Sequence, residues 1–373
     1  MRLLWSSDHH TLHSTTPTEH ILGNLTTFLL KDHDLAQVQM VVFGGDFTET
    51  IVEAPNKQFI KIMDWNRMFL DRCMRINPDI IVIWLAGTES HDRGQPRHFL
   101  NCAPIGLDVR YIDTLCIQTF KHLDDLTVMY VPDNMGSLSP EAIWELALKT
   151  LKAHNLDKVD LIFFHGGFEQ QLHINARHKA HVLALWESIT VYGILAGHIH
   201  KPIKDGKLMT SGSFDRTAHG EEHPKGGLVV ELDKSKEYYN PVFWENKNAL
   251  PYLSIKVDPD INAEDLIRQV HTFIKGKQLP PHSQLRIVGG PIAIVDPVLR
   301  VLQSEYPQFG FKEDSKLSKD ILIDEALYEA SQVMDVTLTA ENLYDSLLDE
   351  VESEFGHLGI EMDYAKGILE EFL

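Results

Sequence analysis

Cysteine is scarce in this chain. Cys73, Cys102 and Cys116 are its three thiols among 373 residues. They are too few and too irregularly spaced for a disulfide framework or a zinc ribbon, and they fit a reducing compartment such as the cytoplasm. Long apolar runs are also missing. None approaches the roughly 18 residues of a transmembrane helix, and the opening Met1-Arg2-Leu3-Leu4-Trp5-Ser6-Ser7-Asp8 turns polar too early for a secretory signal. A cytoplasmic protein without membrane contact is expected. Positive charge is in short supply: 34 Lys and Arg stand against 54 Asp and Glu, a net charge of −20 at pH 7. That excludes an evenly basic nucleic-acid binder. It leaves room for one that meets nucleic acid through metal ions, a local basic patch or a partner. There is no internal repeat and no low-complexity stretch. What the chain does have is a 43% hydrophobic content, enough for a sizeable core, and 20 histidines. Its length corresponds to two or three domains at roughly 150 residues each.

In the first two thirds, short β-branched or aromatic runs at residues 2–6, 38–43, 80–85, 160–164 and 191–196 read as buried strands. Helical spacing occupies 18–32, 57–75, 140–154 and 175–187. Ser139-Pro140-Glu141 supplies a hydroxyl cap, a first-turn proline and an acid at the positive helix end. Such alternation predicts an α/β layered domain over 1–246. A small α+β unit is expected over 251–335, with strands at 253–257, 285–288 and 309–312 and helices at 262–275 and 297–305, the last capped by Asp296. An acidic helical tail, 336–373, carries one apolar stripe of Leu343, Leu347, Leu348 and Val351 and a second around Ile360 and Phe372.

Five of the predicted strands run into polar residues able to bind metal. They give Asp8-His9-His10, then Gly44-Gly45-Asp46, then Gly87-Thr88-Glu89-Ser90-His91-Asp92, then His165-Gly166-Gly167, and last Gly197-His198-Ile199-His200. In open α/β sheets the loops at strand C-terminal ends converge to form sites. Each motif alone is common in turns; five in succession are not. Carboxylates and imidazoles without thiolate suit manganese or iron, with magnesium and zinc as further options. Two such ions about 3.5–4 Å apart can share a bridging carboxylate and clamp a phosphoryl group. A histidine outside the ligand set can protonate the leaving oxygen.

The ordered set over residues 8–200 resembles the signature of calcineurin-like metallophosphoesterases. Ser211-Gly212-Ser213-Phe214-Asp215-Arg216-Thr217, Glu221-Glu222 and Lys225-Gly226-Gly227 are similar to the SbcD-type nuclease subunit of the SbcCD exonuclease, including bacteriophage-encoded versions. The resemblance implies a two-sheet sandwich flanked by helices, a DNA-recognition cap and a tail that binds an SbcC-type ATPase. It implies two divalent ions, manganese foremost. Asp8, His10 and His200 would hold one, His165 and His198 the other, with Asp46 bridging and His91 as the proton donor. DNA would be the substrate, in end processing, repair or recombination, and a homodimer the assembly.

The third motif departs from the family. Its expected asparagine ligand is absent, and Ser90, directly before His91, is the favoured replacement; Glu89 and an empty position stay open. Arg93 and Arg216 are candidates for phosphate contacts, with a solvated loop the other reading of Arg93. A free-standing enzyme on small phosphoesters, or a catalytically weak scaffold at DNA ends, are the alternatives to a nuclease subunit.

Overall fold

A computed structural model describes residues 1–52, 56–133, 138–171 and 180–314; the expected tail, 336–373, lies outside them. The first sheet holds six strands: β1 (Arg2–Ser6), β2 (Met40–Phe43), β3 (Ile81–Leu85), β4 (Asp108–Ile112), β11 (Gly226–Asp233) and β12 (Tyr238–Glu245). Their order is β12-β11-β1-β2-β3-β4, with β1 to β4 parallel and β11 and β12 antiparallel. The second sheet holds β5 (Cys116–Phe120), β6 (Leu126–Val131), β7 (Val159–His165), β8 (Thr190–Gly197), β9 (Ile203–Asp205) and β10 (Leu208–Thr210). Its order is β5-β6-β7-β8-β10-β9, parallel from β6 through β10 and antiparallel at both edges.

The strand period of two sorts side chains into layers. Leu3, Trp5, Met40, Val42, Ile81 and Ile83 meet Val128, Tyr130, Leu161, Phe163 and Leu195 between the sheets. Leu4, Val41, Phe43, Val82 and Trp84 face the other way. They pack under α1 (Thr18–Thr26), which runs on into a wider π turn over Thr27–Lys31, and under α2 (Lys57–Ile76). Met129, Val131, Ile162, Phe164 and Ile194 pack under α3 (Pro140–Ala153) and α4 (Leu183–Ser188). The predicted helix over 175–187 is described only from residue 180, and there α4 is its helical part. Strands covered on both faces lose their polar alternation, which is why these runs read as continuous hydrophobic segments.

A third sheet, β13 (Tyr252–Lys256), β14 (Gln284–Val288) and β15 (Gly310–Asp314), is parallel and alternates with α5 (Ala263–Lys277) and α6 (Ile292–Glu305) around its own apolar cluster. The start of α6 differs from expectation. Asp296 does not cap it, and Pro297 lies inside it. Burial of Val295 together with Val298, Leu299 and Leu302 carries the helix through the proline. The Tyr252 hydroxyl ties this unit to the β1–α1 loop through Thr15 at 2.6 Å and Thr16 at 2.9 Å. On the outer strand β12, Pro241 pairs with Val230. No described helix is long and apolar enough to cross a membrane.

Phe43 stacks on Trp84 with ring centroids 4.8 Å apart, fully buried under α2. Phe43→Ala is expected to cost about 3–5 kcal/mol. Urea unfolding measures it, and a loss under about 1 kcal/mol would show that this layer collapses to refill the space.

Candidate metal centre

The five motifs leave parallel strands at their C-terminal ends: Asp8 after β1, Asp46 after β2, Thr88 after β3, His165 at the end of β7, and His198 with His200 after β8. The loops are stitched together by their backbones. Asp8 N donates to Gly45 O at 3.0 Å, and His9 N and His10 N both donate to Asp46 O, at 2.9 and 3.1 Å. Asp8, His10, Asp46 and His198 all adopt positive φ, at 51°, 48°, 49° and 89°. Such conformations cost free energy in non-glycine residues and persist where surroundings enforce them. Glycine allows the close approach: a Cβ on Gly87 would lie 2.1 Å from Asp46 N, and one on Gly45 2.1 Å from His165 Nδ1.

Two buried groups of donors result, Asp8 with His10 and His200, and Asp46 with His165 and His198. Whether they suit a metal turns on free lone pairs. His165 donates Nδ1–H to Gly44 O at 2.7 Å. Its Nε2 is buried without a hydrogen bond, 3.2 Å from Asp46 Oδ2. His200 donates Nδ1–H to Glu221 Oε1 at 2.5 Å, and His10 Nδ1 faces Glu49 Oε2 at 2.6 Å. The two Nε2 atoms then meet at 2.9 Å. With their Nδ1 atoms set against Gly44 O, Glu221 and Glu49, the three imidazoles turn their Nε2 atoms toward the donor groups, the arrangement by which second-layer groups orient metal ligands. The donor set fits divalent ions.

Electrostatics agree. Burial disfavours a charged ring at His165, yet the Asp46 carboxylate and then Asp8 overcome it and raise the pKa to about 10. At His10 burial is likewise outweighed, chiefly by Glu49, and the pKa rises to about 9. Asp46, despite burial, is held well below the usual carboxylate range by His165, His91 and His10. Without metal, protonated imidazoles supply the positive charge these acids require. Asp92 lies behind them. Burial and then the Asp46 charge push its pKa up to about 6, while it accepts from Thr48 N and Gly87 N.

The other expected residues fall as follows. His91 is half-buried beside the first group, its ring centroid 5.1 Å from that of His10, with Nδ1 on Glu49 O at 2.9 Å. Ser90 is exposed, as is Glu89, and Glu89 belongs to no donor group among the described residues. The reason is a turn in which His91 N and Asp92 N both donate to Thr88 O. Thr88 takes the inner place: its amide reaches Asp46 Oδ1 at 2.6 Å, and its hydroxyl lies 3.2 Å from Asp46 Oδ2 and 3.5 Å from His198 Nδ1. Arg93 is exposed. Arg216 instead spends its guanidinium on the carbonyls of Glu221, Ala249 and His223. His9 faces inward onto Phe43, Phe47 and Phe214. Away from the site, His181 packs on Phe164 and Trp186.

Sequence reasoning did not single out Glu49, Thr88 or Asp133, whose carboxylate lies 3.9 Å from His198 Nδ1. It noted Glu221 without a role; Glu221 is buried against His200, Lys225 and Thr217 N. The signal for Thr88 was its position within the third motif, and for Glu49 its place shortly after the second. For Asp133 it was a polar residue just after β6.

No family model matches the chain, and no curated protein does. Among solved structures, the Pseudomonas putida nuclease MPE matches at 17% identity and a TM-score of 0.26, over 61% of this chain and 83% of that one. A likeness of that size carries no weight for function, which must come from the geometry above.

Two outcomes are expected. Thr88→Ala should weaken uptake of the second ion, because Asp46 loses a hydroxyl partner, whereas Ser90→Ala should leave it unchanged; elemental analysis and metal titration compare them, and the reverse order would return Ser90 to the site. Metal binding at pH 7.5 should release about two protons, since His10 and His165 bind protons up to about 9 and 10 in the free protein. The release should vanish, and affinity rise, as pH climbs through those values. Calorimetry in buffers of different ionisation enthalpy reads the proton count, and buffer-independent heats at pH 7.5 would contradict it.

Proposed function

We propose that this chain is a metal-dependent phosphodiesterase of the calcineurin-like type, and within it an SbcD-type DNA nuclease subunit. The observation that carries the reading is the pair of buried donor groups, Asp8–His10–His200 and Asp46–His165–His198, side by side at the strand ends. Asp8, His10 and His200 would hold one divalent ion and His165 and His198 the other, with Asp46 assigned to both. When bound, the two ions supply the positive charge that draws in a phosphodiester and acidifies a water. The remaining steps belong to side chains. Asp92 and Thr88 hold the second and third motifs in register through Thr48 N, Gly87 N and Asp46. His91, anchored at Nδ1 on Glu49 O, has Nε2 left to deliver a proton to the departing oxygen.

DNA as substrate and an SbcC-type ATPase as partner rest on the segment from Ser211 to Gly227 and on the two apolar stripes of the tail. A partner that grips DNA reconciles a phosphodiester substrate with a net charge of −20. The cap unit and a homodimer belong to the same proposal.

Purified protein with manganese and linear double-stranded DNA, with and without the ATPase, tests the reading. Cleavage should require the metal and be abolished by Asp46→Asn in a folded protein. His91→Ala should lower turnover by roughly 10²–10⁴-fold with metal content unchanged. Hydrolysis of bis(p-nitrophenyl) phosphate with DNA left intact under both conditions would point to a small-phosphoester enzyme. DNA binding without any metal-dependent hydrolysis would point to a scaffold.

A further inference from the structure

Glu49 lies outside the two fully buried groups, and with His10 and His91 it makes a third, less buried set of donor atoms. Its carboxylate faces His10 Nδ1 at 2.6 Å, on the far side of the ring from the nitrogen that meets His200. Its carbonyl accepts from His91 Nδ1 at 2.9 Å, and its carboxylate lies 3.8 Å from the same atom. One residue thus holds the ring of an expected ligand and the ring of the expected proton donor.

The backbone around Glu49 is fixed on both sides. Toward the first motif, Glu49 N donates to Thr11 O at 2.7 Å and Thr11 N to Phe47 O at 3.0 Å. The Thr11 hydroxyl adds a bond to Phe47 O at 2.6 Å. Toward the third motif, Thr48 N donates to Asp92 Oδ1 at 3.0 Å and the Thr48 hydroxyl to His91 O at 3.1 Å. Residues 46–49 therefore form a strut between the loop carrying His10 and the loop carrying His91. Rotation of the His91 ring would cost its hydrogen bond to Glu49 O, and rotation of the His10 ring its close contact with the Glu49 carboxylate.

We infer that Glu49 is a positioning residue which sets His10 and His91 in one mutual orientation, the His10 ring through its carboxylate and the His91 ring through its carbonyl together with the carboxylate charge 3.8 Å away. The inference rests on the two-metal phosphodiesterase reading and deepens it. It differs from a ligand role, because a ligand would need its own oxygen on the ion, whereas a positioning residue needs only an acceptor toward Nδ1–H.

Glu49→Gln keeps an acceptor of the same reach, Glu49→Asp shortens it, and Glu49→Ala removes it. Manganese titration of the purified protein without substrate is measured alongside kcat and KM on bis(p-nitrophenyl) phosphate. Glu49→Ala should weaken the first ion by about 10–100-fold, the usual effect of losing an outer partner of a ligand, and lower kcat more than it raises KM. Glu49→Gln should recover most of both losses, and Glu49→Asp should resemble Glu49→Ala, so that a failure of the alanine variant to fold leaves the comparison intact. In a double-mutant cycle, Glu49→Ala with His91→Ala should show kcat losses that do not add. Glu49→Asp with wild-type affinity and turnover would overturn the inference. So would Glu49→Gln losing a full metal equivalent, which would make Glu49 a ligand. If the wild-type protein itself takes up no ions, the two-metal reading has failed, a result distinct from either of these.

Discussion

A buried imidazole can offer a lone pair only when its other nitrogen has somewhere to place its hydrogen. The site is organised around that requirement. His165 uses the carbonyl of Gly44, His200 the carboxylate of Glu221, and His10 the carboxylate of Glu49. Each acceptor comes from a loop other than the histidine's own. For His165 the acceptor follows a strand of the other sheet, so the packed core between the sheets is a condition of the chemistry at their ends.

The same dependence explains the cluster of left-handed backbones. Asp8, His10, Asp46 and His198 hold unfavourable φ values because amides of the first motif are bonded to the carbonyls of Gly45 and Asp46, and His198 N to the Asp8 carboxylate at 2.8 Å. Strain in one loop is balanced by hydrogen bonds from another. The behaviour of Glu221 is similar on the far side of His200: its buried carboxylate is compensated by Lys225 at 3.2 Å and by Thr217 N at 2.8 Å, so a charge can stand behind the imidazole without access to water.

What could be read beforehand follows from burial. β1, β2, β3, β7 and β8 are covered on both faces, so their apolar runs were visible. β4 and β12 are half-covered edge strands in which Arg110, Asn240 and Glu245 break the pattern, and they were not visible. The polar residues that gather at the strand ends could be picked out because they directly follow those visible runs. Ser90 was placed at the site because sequence order puts it beside His91; the turn closed by Thr88 O carries it outward and leaves Thr88 inside. Glu49 and Glu221 act through bonds between loops far apart in the chain, such as the 21-residue separation of His200 and Glu221, and local spacing does not encode those.

Pro241 bears on a different matter, how the molecule behaves in a crowd. Strand β12 is the outer edge of the first sheet, eight residues long, with Val242 half exposed. A flat edge of that length is a template on which another chain could add a strand and begin a fibre. A proline in its middle offers no N–H to such a newcomer, and Glu245 places a charge at its end. The edge that closes the sheet is thereby poorly suited to extend it, which protects the strands that carry the loops of Asp8, Asp46 and Thr88.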